Sequence, residues 1–542
     1  MHAVETIAAV LALLLCLNPG QAHAAASRRE WALAGASRPA IEMDLDEAIR
    51  SAVTNNPGVR AKAQEPLAVD TGVLEAASAW EPVLQLNLGY SDSRVARSSA
   101  LAGVSGAAPV LEQDERHGDL VLSKLLRSGT ALDLAWTNSR ATTNSSFQGL
   151  VPEFKPTLGL NLSQPLWKNA WGKDAKTTLQ LARNASRQET ALFKTALADF
   201  VAAVASAYWD QALKQSELEV HRRSLELARQ LNLEAQTKVK LGLLAPVAVK
   251  ETMAEAAKRE EELLVAENEL ELSAQRLEHL VMAGGPNNPQ RLIAREVHEA
   301  TPAALDADSL LATAIEKRPE MELARLRLAA GELSEVQALD EARPDLGLVG
   351  NYTLVGLGGR AVPITPLGSN EPVSNPFAGS YGDAYDLMLD GDFYSYALEL
   401  RLELPLSRAA ARARHSRALI RTRQARELLD ETMSSIALDL QQAVGNVESS
   451  FKRVGASRLA RELAAENLAN QQRRYQVGKL TTTDVLDFQQ KLASAMAVEQ
   501  RALNDHARAT IRLQRATGIL LDRFNIEVEA AETATLPWWA RF

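Results

Sequence analysis

The sequence predicts a mainly helical chain, built twice over, that carries a small set of membrane-type β-strands. Three observations lead there. The two halves hold the same elements in the same order. Each half contains one helix of about 70 residues and two of about half that length. The short strands alternate strictly between aliphatic and polar residues.

Composition sets the frame. The chain has 542 residues, 46% apolar but only 5% aromatic, and it is rich in Ala, Leu, Glu, Gln and Arg, the profile of long helices. A formal net charge of -9 leaves no basic excess to neutralise phosphates, which argues against a nucleic-acid partner. The single Cys16 excludes a disulfide framework and any cysteine-based zinc site. No run of 18 or more apolar residues occurs, so no ordinary transmembrane helix is expected.

Residues 1–24 read as a signal peptide. The apolar run Ile7–Leu17 is too short to span a bilayer but suits a signal core. Pro19-Gly20 breaks it, and Ala22-His23-Ala24 is a small-x-small site with cleavage after Ala24. The stretch before the run holds His2 and Glu5 but no Lys or Arg, which is atypical. Leu15 precedes Cys16 where a lipobox needs a small residue, which argues against a lipid anchor. Cleavage removes one acid, Glu5, and leaves a net charge of -8 from the -9 of the full chain.

The repeat organises the rest. Pro57 and Pro319 are 262 positions apart, as are Pro82 and Pro344, so 45–91 and 307–353 align without a gap. Leu160, Leu162, Pro165 and Leu166 match Leu400, Leu402, Pro405 and Leu406 at an offset of 240, and Gly242 matches Gly478 at 236. The first repeat, 25–282, reads as helix 44–80, strands within 83–164, long helix 173–241 and helix 246–282. A linker over 283–305 follows. The second repeat, 306–517, reads as helix 307–342, strands within 346–404, long helix 408–477 and helix 481–517. Residues 518–542 form a tail, with an unexplained aromatic segment at Leu536-Pro537-Trp538-Trp539. Segments 98–117 and 356–391 are rich in Gly, Ala, Ser, Pro and Asn and read as loops.

Length explains how these helices pack. Phe193, Leu197, Phe200, Val204, Tyr208 and Ala212 recur at helical spacing. The helix 408–477 has 70 residues, about 105 Å at ~1.5 Å each. The two short helices of that half have 36 and 37 residues, so end to end they match the long one. Burial is then expected from Leu/Ala seams between rods and not from a globular core.

The strands have one aliphatic face. Leu398, Leu400, Leu402 and Leu404 alternate with Glu399, Arg401 and Glu403; Leu158, Leu160 and Leu162 alternate with Gly159, Asn161 and Ser163; Leu84, Leu86, Leu88 and Tyr90 alternate with Gln85, Asn87, Gly89 and Ser91. A soluble sandwich has the same period. A few strands dispersed among long helices cannot build a sandwich alone, whereas several copies of the chain could close a barrel. Trp136, Trp167, Trp171 and Tyr352 lie near strand ends, as girdle residues or as core. A further hairpin over 118–137, turning at Arg127-Ser128-Gly129-Thr130, either adds two barrel strands or stands to the side.

The chain resembles the TolC-like outer-membrane efflux protein family over roughly 42–520. The likeness rests on the duplicated element order and on Tyr475-Gln476-Val477-Gly478 followed by Thr481-Thr482-Thr483-Asp484-Val485-Leu486-Asp487, with a weaker copy at Lys240-Leu241-Gly242-Leu243. The resemblance implies a homotrimer, with a trimer-shared outer-membrane β-barrel set on a periplasmic α-barrel tunnel of long antiparallel coiled coils. The linker would lie at the equator of the tunnel. The hairpin tips Leu241, Gly242, Leu243, Val477, Gly478, Lys479 and Leu480 would engage a periplasmic adaptor (membrane fusion) protein and, through it, an inner-membrane pump of RND, ABC or MFS type. Asp484, Asp487 and Tyr475 would form the periplasmic gate, and Glu399, Arg401 and Glu403 would face the barrel lumen. Thr481 with Asp484 also fits a helix-capping box, a purely structural role for that acid. The best-known member has an arginine where Leu480 stands and an acid where Ala248 stands. A closing link of that kind cannot form here as a whole, so closure is expected to rest on packing or other polar pairs.

The implied function is a passive exit duct for tripartite efflux or type I secretion. The alternative is a periplasmic coiled-coil scaffold without a barrel. No phosphate loop, zinc-protease, serine-nucleophile or EF-hand pattern occurs, the eight histidines share no ligand spacing, and no cofactor is expected.

Overall fold

The computed structural model describes residues 40–96, 110–145, 147–282, 291–295, 300–301, 306–364, 371–528, 537 and 539. The expected signal peptide and Cys16 lie outside these residues.

Helix α1 (Leu45–Asn55) starts on a capping box between Asp44 and Glu47. It is followed by α2 (Pro57–Lys62) and α3 (Gln64–Ala77). The continuous helix expected over 44–80 is therefore broken. Asn56 takes an extended conformation, φ -69 and ψ 119, because the ring of Pro57 disfavours helical geometry in the residue before it. The helix expected over 307–342 breaks for the same reason. It divides into α6 (Ala307–Lys317) and α7 (Pro319–Glu341) at Arg318, with φ -69 and ψ 126.

The two long helices are α4 (Lys173–Lys240) and α9 (Ala409–Gln476), each of 68 residues and about 100 Å long. Each turns back into a 35-residue helix, α5 (Val247–Val281) or α10 (Thr482–Ala516). Helix α4 packs on α3 and α5 along one side and on α7 and α10 along the other; α9 packs on α6, α7 and α10. The chain thus makes four parallel rods in a row: α3 with α5, then α4, then α7 with α10, then α9. Each long helix lies against shorter helices placed end to end, as the lengths require.

A compact core interrupts the rods at mid-height. Strand β1 (Ala40–Met43) pairs in parallel with β6 (Arg291–Ala294), inside the segment expected to be a linker. Leu197, Val201, Val204 and Tyr208 of α4 are buried there with Ile49, Leu292 and Phe524. Tyr208 donates its hydroxyl to the Met43 carbonyl at 3.0 Å, and the Gln211 amide donates to the Leu292 carbonyl. Burial is therefore not confined to interhelical seams. Among the described helices, α4 alone is long and apolar enough by composition to cross a bilayer, and it is the helix that builds this core. Helix α11 (Leu520–Arg523) closes the core from the tail, and Leu520 is buried in it.

Above the rods stands one antiparallel sheet. Its strands are β2 (Val83–Ala96), β3 (Val110–Leu125), β4 (Ala131–Thr143), β5 (Leu150–Pro165), β7 (Asp345–Val355) and β9 (Tyr394–Glu403), paired in that order. The short β8 (Gly358–Ala361) continues β7 along β5. The 118–137 hairpin thus belongs to the sheet and does not stand aside. The segment expected as a loop over 356–391 contains α8 (Tyr381–Asp390), capped by Ser380 with Asp383 and ended by Gly391 in the left-handed conformation.

Candidate functional site

The hairpin tips form the first region of interest. Gly242 and Gly478 have φ +70 and +77, and a methyl group placed on either would meet nothing within 4 Å. Their left-handed backbone, and not crowding, is what calls for glycine. After each, a backbone N–H reaches back to the last helical turn, Leu243 to the Lys238 carbonyl at 2.8 Å and Lys479 to the Arg474 carbonyl at 3.0 Å.

Tyr475 is 3% exposed and packs with Leu231, Leu468 and Val485 between the two hairpins. Burial pushes its phenol above the ordinary value, against a smaller opposing effect of Thr482. The Lys238 ammonium lies 3.6 Å from the ring centre and 3.4 Å from the Tyr475 carbonyl oxygen. The Thr483 hydroxyl donates to Glu251 at 3.3 Å. Two polar contacts therefore join the hairpins where the arginine and acid of the resembling family are missing. Neither Lys238 nor Glu251 stands out in the sequence, because Lys238 lies 237 positions from Tyr475 and Glu251 lies 232 from Thr483.

The two proposed gate acids both have partners. Asp484 accepts from the Thr481 hydroxyl at 2.6 Å and from the Thr481 N–H at 3.0 Å. These bonds, the hydroxyl first, hold its carboxyl below the usual value. Asp487 pairs with Lys491 one turn on, at 2.6 Å. Asp487 is exposed at the tip and Asp484 is half-buried. Leu241, Leu243 and Val477 are 68%, 70% and 69% exposed, so apolar surface concentrates at the turns. Leu480 instead packs inward against the cluster around Tyr475.

The sheet is the second region. A row of paired residues runs Leu84, Leu122, Leu134, Leu160, Tyr352, Tyr396, and the next runs Leu86, Leu120, Trp136, Leu158, Leu354, Tyr394. In these two rows one face of the sheet is apolar across all six strands, and the band gives way to Lys124 toward the rods and to Asn138, Arg116 and Arg140 toward the far end. Towards the far end, aromatics gather on this face. Tyr385 of α8 lies 6.2 Å from Trp136, Tyr381 lies 4.9 Å from Phe154, and Tyr352 stacks on Tyr394 at 6.0 Å. At the rod end, the Lys124 ammonium reaches the carbonyls of Trp80 and Trp539, the latter at 2.7 Å. Trp539 packs beside Val73, Ala77 and Leu179, which places this residue of the tail at the base of the sheet.

The opposite face is polar. Glu399 and Arg401 pair at 3.2 Å on β9. Glu403 stands opposite Asp345, whose other neighbour is Lys168 at 3.8 Å. Among the described residues, no group of His, Cys, Asp or Glu is arranged to hold a metal ion.

No family model and no curated sequence matches the chain. Solved structures do. The CusC channel is similar at 15% identity, covering 88% of this chain and 92% of that one, with a TM-score of 0.60. The Campylobacter jejuni outer-membrane channel CmeC is 12% identical over 91% of this chain and 90% of that one, with a TM-score of 0.59. The Vibrio cholerae outer-membrane protein VceC is 17% identical over 88% of this chain and 96% of that one, also at 0.59. With its row of long rods beneath a sheet that is apolar on one face, the chain has the fold of the TolC-like outer-membrane efflux channels.

Proposed function

We propose that this chain is an outer-membrane channel-tunnel, the passive exit duct of a tripartite efflux or type I secretion system, and that it catalyses no reaction. The observation that carries this reading is the apolar band that crosses all six strands on one face of the sheet. Leu84, Leu86, Leu88, Leu398, Leu400 and Leu402 all lie on it and are all exposed in the single chain. Such a face needs lipid or a partner, and rods about 100 Å long below it suit a passage through the periplasm.

The duct would be a homotrimer of an internally duplicated chain. The row of rods has two open flanks that support this. Helix α9 exposes Ile420, Leu438 and Leu459 on one side, and α5 exposes Met253, Leu264 and Leu272 on the other. The tips, with Leu241, Leu243 and Val477 outward, would dock a periplasmic adaptor that connects to an inner-membrane pump. Asp484 and Asp487 would ring the tunnel entrance and favour cations there. Glu399, Arg401 and Glu403 would face the lumen, and no cofactor takes part.

Fractionation tests the reading. The protein should require detergent for release from outer membranes, run as a trimer and form pores in planar bilayers. A freely soluble product would overturn this in favour of a periplasmic scaffold. For the gate, Asp484→Ala combined with Asp487→Ala should weaken block by multivalent cations, and unchanged block would remove these acids from it.

A further inference from the structure

Resting on the trimeric duct just proposed, we infer that the outer-membrane wall is an eighteen-strand barrel, closed by β2 of each copy against β9 of the next. Six strands of one chain lie in a single hydrogen-bonded path, because the β3–β4 hairpin joins it. Among the described residues, β2 pairs only with β3 and β9 only with β7. Each therefore presents a free row of backbone N–H and C=O groups, which lipid cannot satisfy.

The two edges fit each other. β2 runs away from the rods and β9 runs back toward them, so they meet antiparallel. An even number of strands per copy keeps that alternation unbroken around the ring. Setting Val83 of one copy against Glu403 of the next levels the rod-side ends, and all ten residues of β9 then face residues of β2. Leu84, Leu86 and Leu88 come opposite Leu402, Leu400 and Leu398, keeping the apolar face continuous. Asn87 comes opposite Glu399 on the polar face.

The register inside the sheet then fixes the tilt. A row that starts at Leu84 reaches Tyr396 on β9, and closure carries it to Tyr90 of the next copy. The row climbs six residues per copy and eighteen around the ring. With ~3.3 Å per residue and ~4.8 Å between strands, the strands tilt by about 35°, at the low end of the ~35–45° of membrane barrels.

The width also agrees. At that tilt, six strands at ~4.8 Å spacing span about 35 Å of wall. The four rods beneath, at ~8–10 Å between axes, span about 32–40 Å. Sheet and rods of one chain thus cover the same arc, and neither layer must be squeezed to meet the other. The ring is about 34 Å across between backbones at ~4.8 Å per strand, and a wall of eighteen strands leaves a water-filled lumen.

The test uses the full chain with Cys16→Ala, carrying Asn87→Cys and Glu399→Cys together. A bismaleimide of about 8 Å reaches a directly opposite residue or its diagonal neighbour. Treated membranes should yield covalent trimers on denaturing gels, and either single variant should yield none. Electron cryomicroscopy of the detergent-extracted trimer should count eighteen strands. A trimeric pore that resists this cross-link and counts fewer strands overturns the closure and leaves the duct reading standing. A soluble monomer removes both.

Discussion

Lys238 sets its ammonium 3.6 Å from the centre of the Tyr475 ring, and so ties the end of the first long helix to the end of the second. In a half-buried setting such a contact contributes about 1 kcal/mol. If the closed tunnel depends on these tips staying together, Lys238→Ala should shift the channel toward the open state by about fivefold, the equivalent of that ~1 kcal/mol. Lys238→Arg should stay near the parent, because a guanidinium also sits over an aromatic face. Open probability in planar bilayers measures both. Equal closure in the alanine variant would mean that the packing of Leu231, Leu468 and Val485 suffices.

Asp484 gives a pH-dependent prediction. Its carboxylate is the acceptor for the Thr481 hydroxyl and N–H, and these bonds depress its folded pKa. A depressed carboxylate stabilises the fold fully above its unfolded value of about 3.9 and loses that contribution as pH falls through the lower folded value. Near neutral pH the first turn of α10 should therefore be protected. Hydrogen exchange of the 482–486 amides, corrected for the intrinsic rate, should show that protection lost below about pH 3.9. Asp484→Ala should lose it at every pH. Asp484→Asn should keep much of it, since an amide oxygen still accepts.

Glu217 joins three helices. Its carboxylate takes Lys214 at 2.9 Å on its own helix α4 and Arg501 of α10 at 2.8 Å, while Lys214 also holds Glu269 of α5 at 2.7 Å. Burial alone would push Glu217 up, but the Lys214 and Arg501 bonds outweigh it and hold it down. Burial would likewise lower Lys214, but the Glu269 and Glu217 bonds outweigh it and raise it. The network is therefore intact between the carboxylate and ammonium ranges and weakens at either extreme of pH. Glu217→Ala should cost about 1–3 kcal/mol, because Lys214 keeps Glu269 and Arg501 can turn to water. Glu269→Ala, at an exposed partner, should cost under about 1 kcal/mol. Thermal unfolding of the detergent-extracted protein at neutral pH ranks the two.

Local chemistry makes the strands and long helices legible, while contacts between distant segments do not show. Alternation at 84–90, 158–162 and 398–404 marks three strands of the sheet. It also marks the 118–137 hairpin, but alternation has no information about which strands pair, so it leaves the hairpin's place open. Pro57 and Pro319 are visible as repeat markers, yet the apolar period runs on past Asn56 and Arg318, whose extended backbone follows from the prolines. The Ser380–Asp383 box before α8 has the same spacing as Thr481–Asp484, but it lies hidden in a Gly- and Pro-rich stretch. Arg291–Ala294 is too short to carry a period, and it becomes a strand only because Ala40–Met43 lies beside it. At the tips, the cap on Asp484 is readable from four residues, whereas Lys238 over Tyr475 needs the two hairpins already packed.

The sheet supplies the sharpest contrast between neighbouring residues. Leu398 lies midway along β9, between Leu400 and Tyr396 on the apolar face, in a row that runs through Gly350, Leu162 and Leu132 to Lys124, and it is 74% exposed in the single chain. Glu399, next to it, points to the polar face and pairs with Arg401. If the apolar face meets lipid, Leu398→Arg should destabilise the folded barrel by about 2–4 kcal/mol, the cost of an arginine near the bilayer midplane. Glu399→Arg exchanges an exposed ion pair with Arg401 for an exposed like-charge neighbour and should cost no more than about 1 kcal/mol, while changing the charge preference of the pore. Urea unfolding in lipid vesicles measures the first effect, and reversal potentials under a salt gradient measure the second. The ordering follows from the surroundings of each face. On a sheet wetted on both sides, an exposed leucine exchanged for arginine would be nearly neutral, and the two variants would unfold alike.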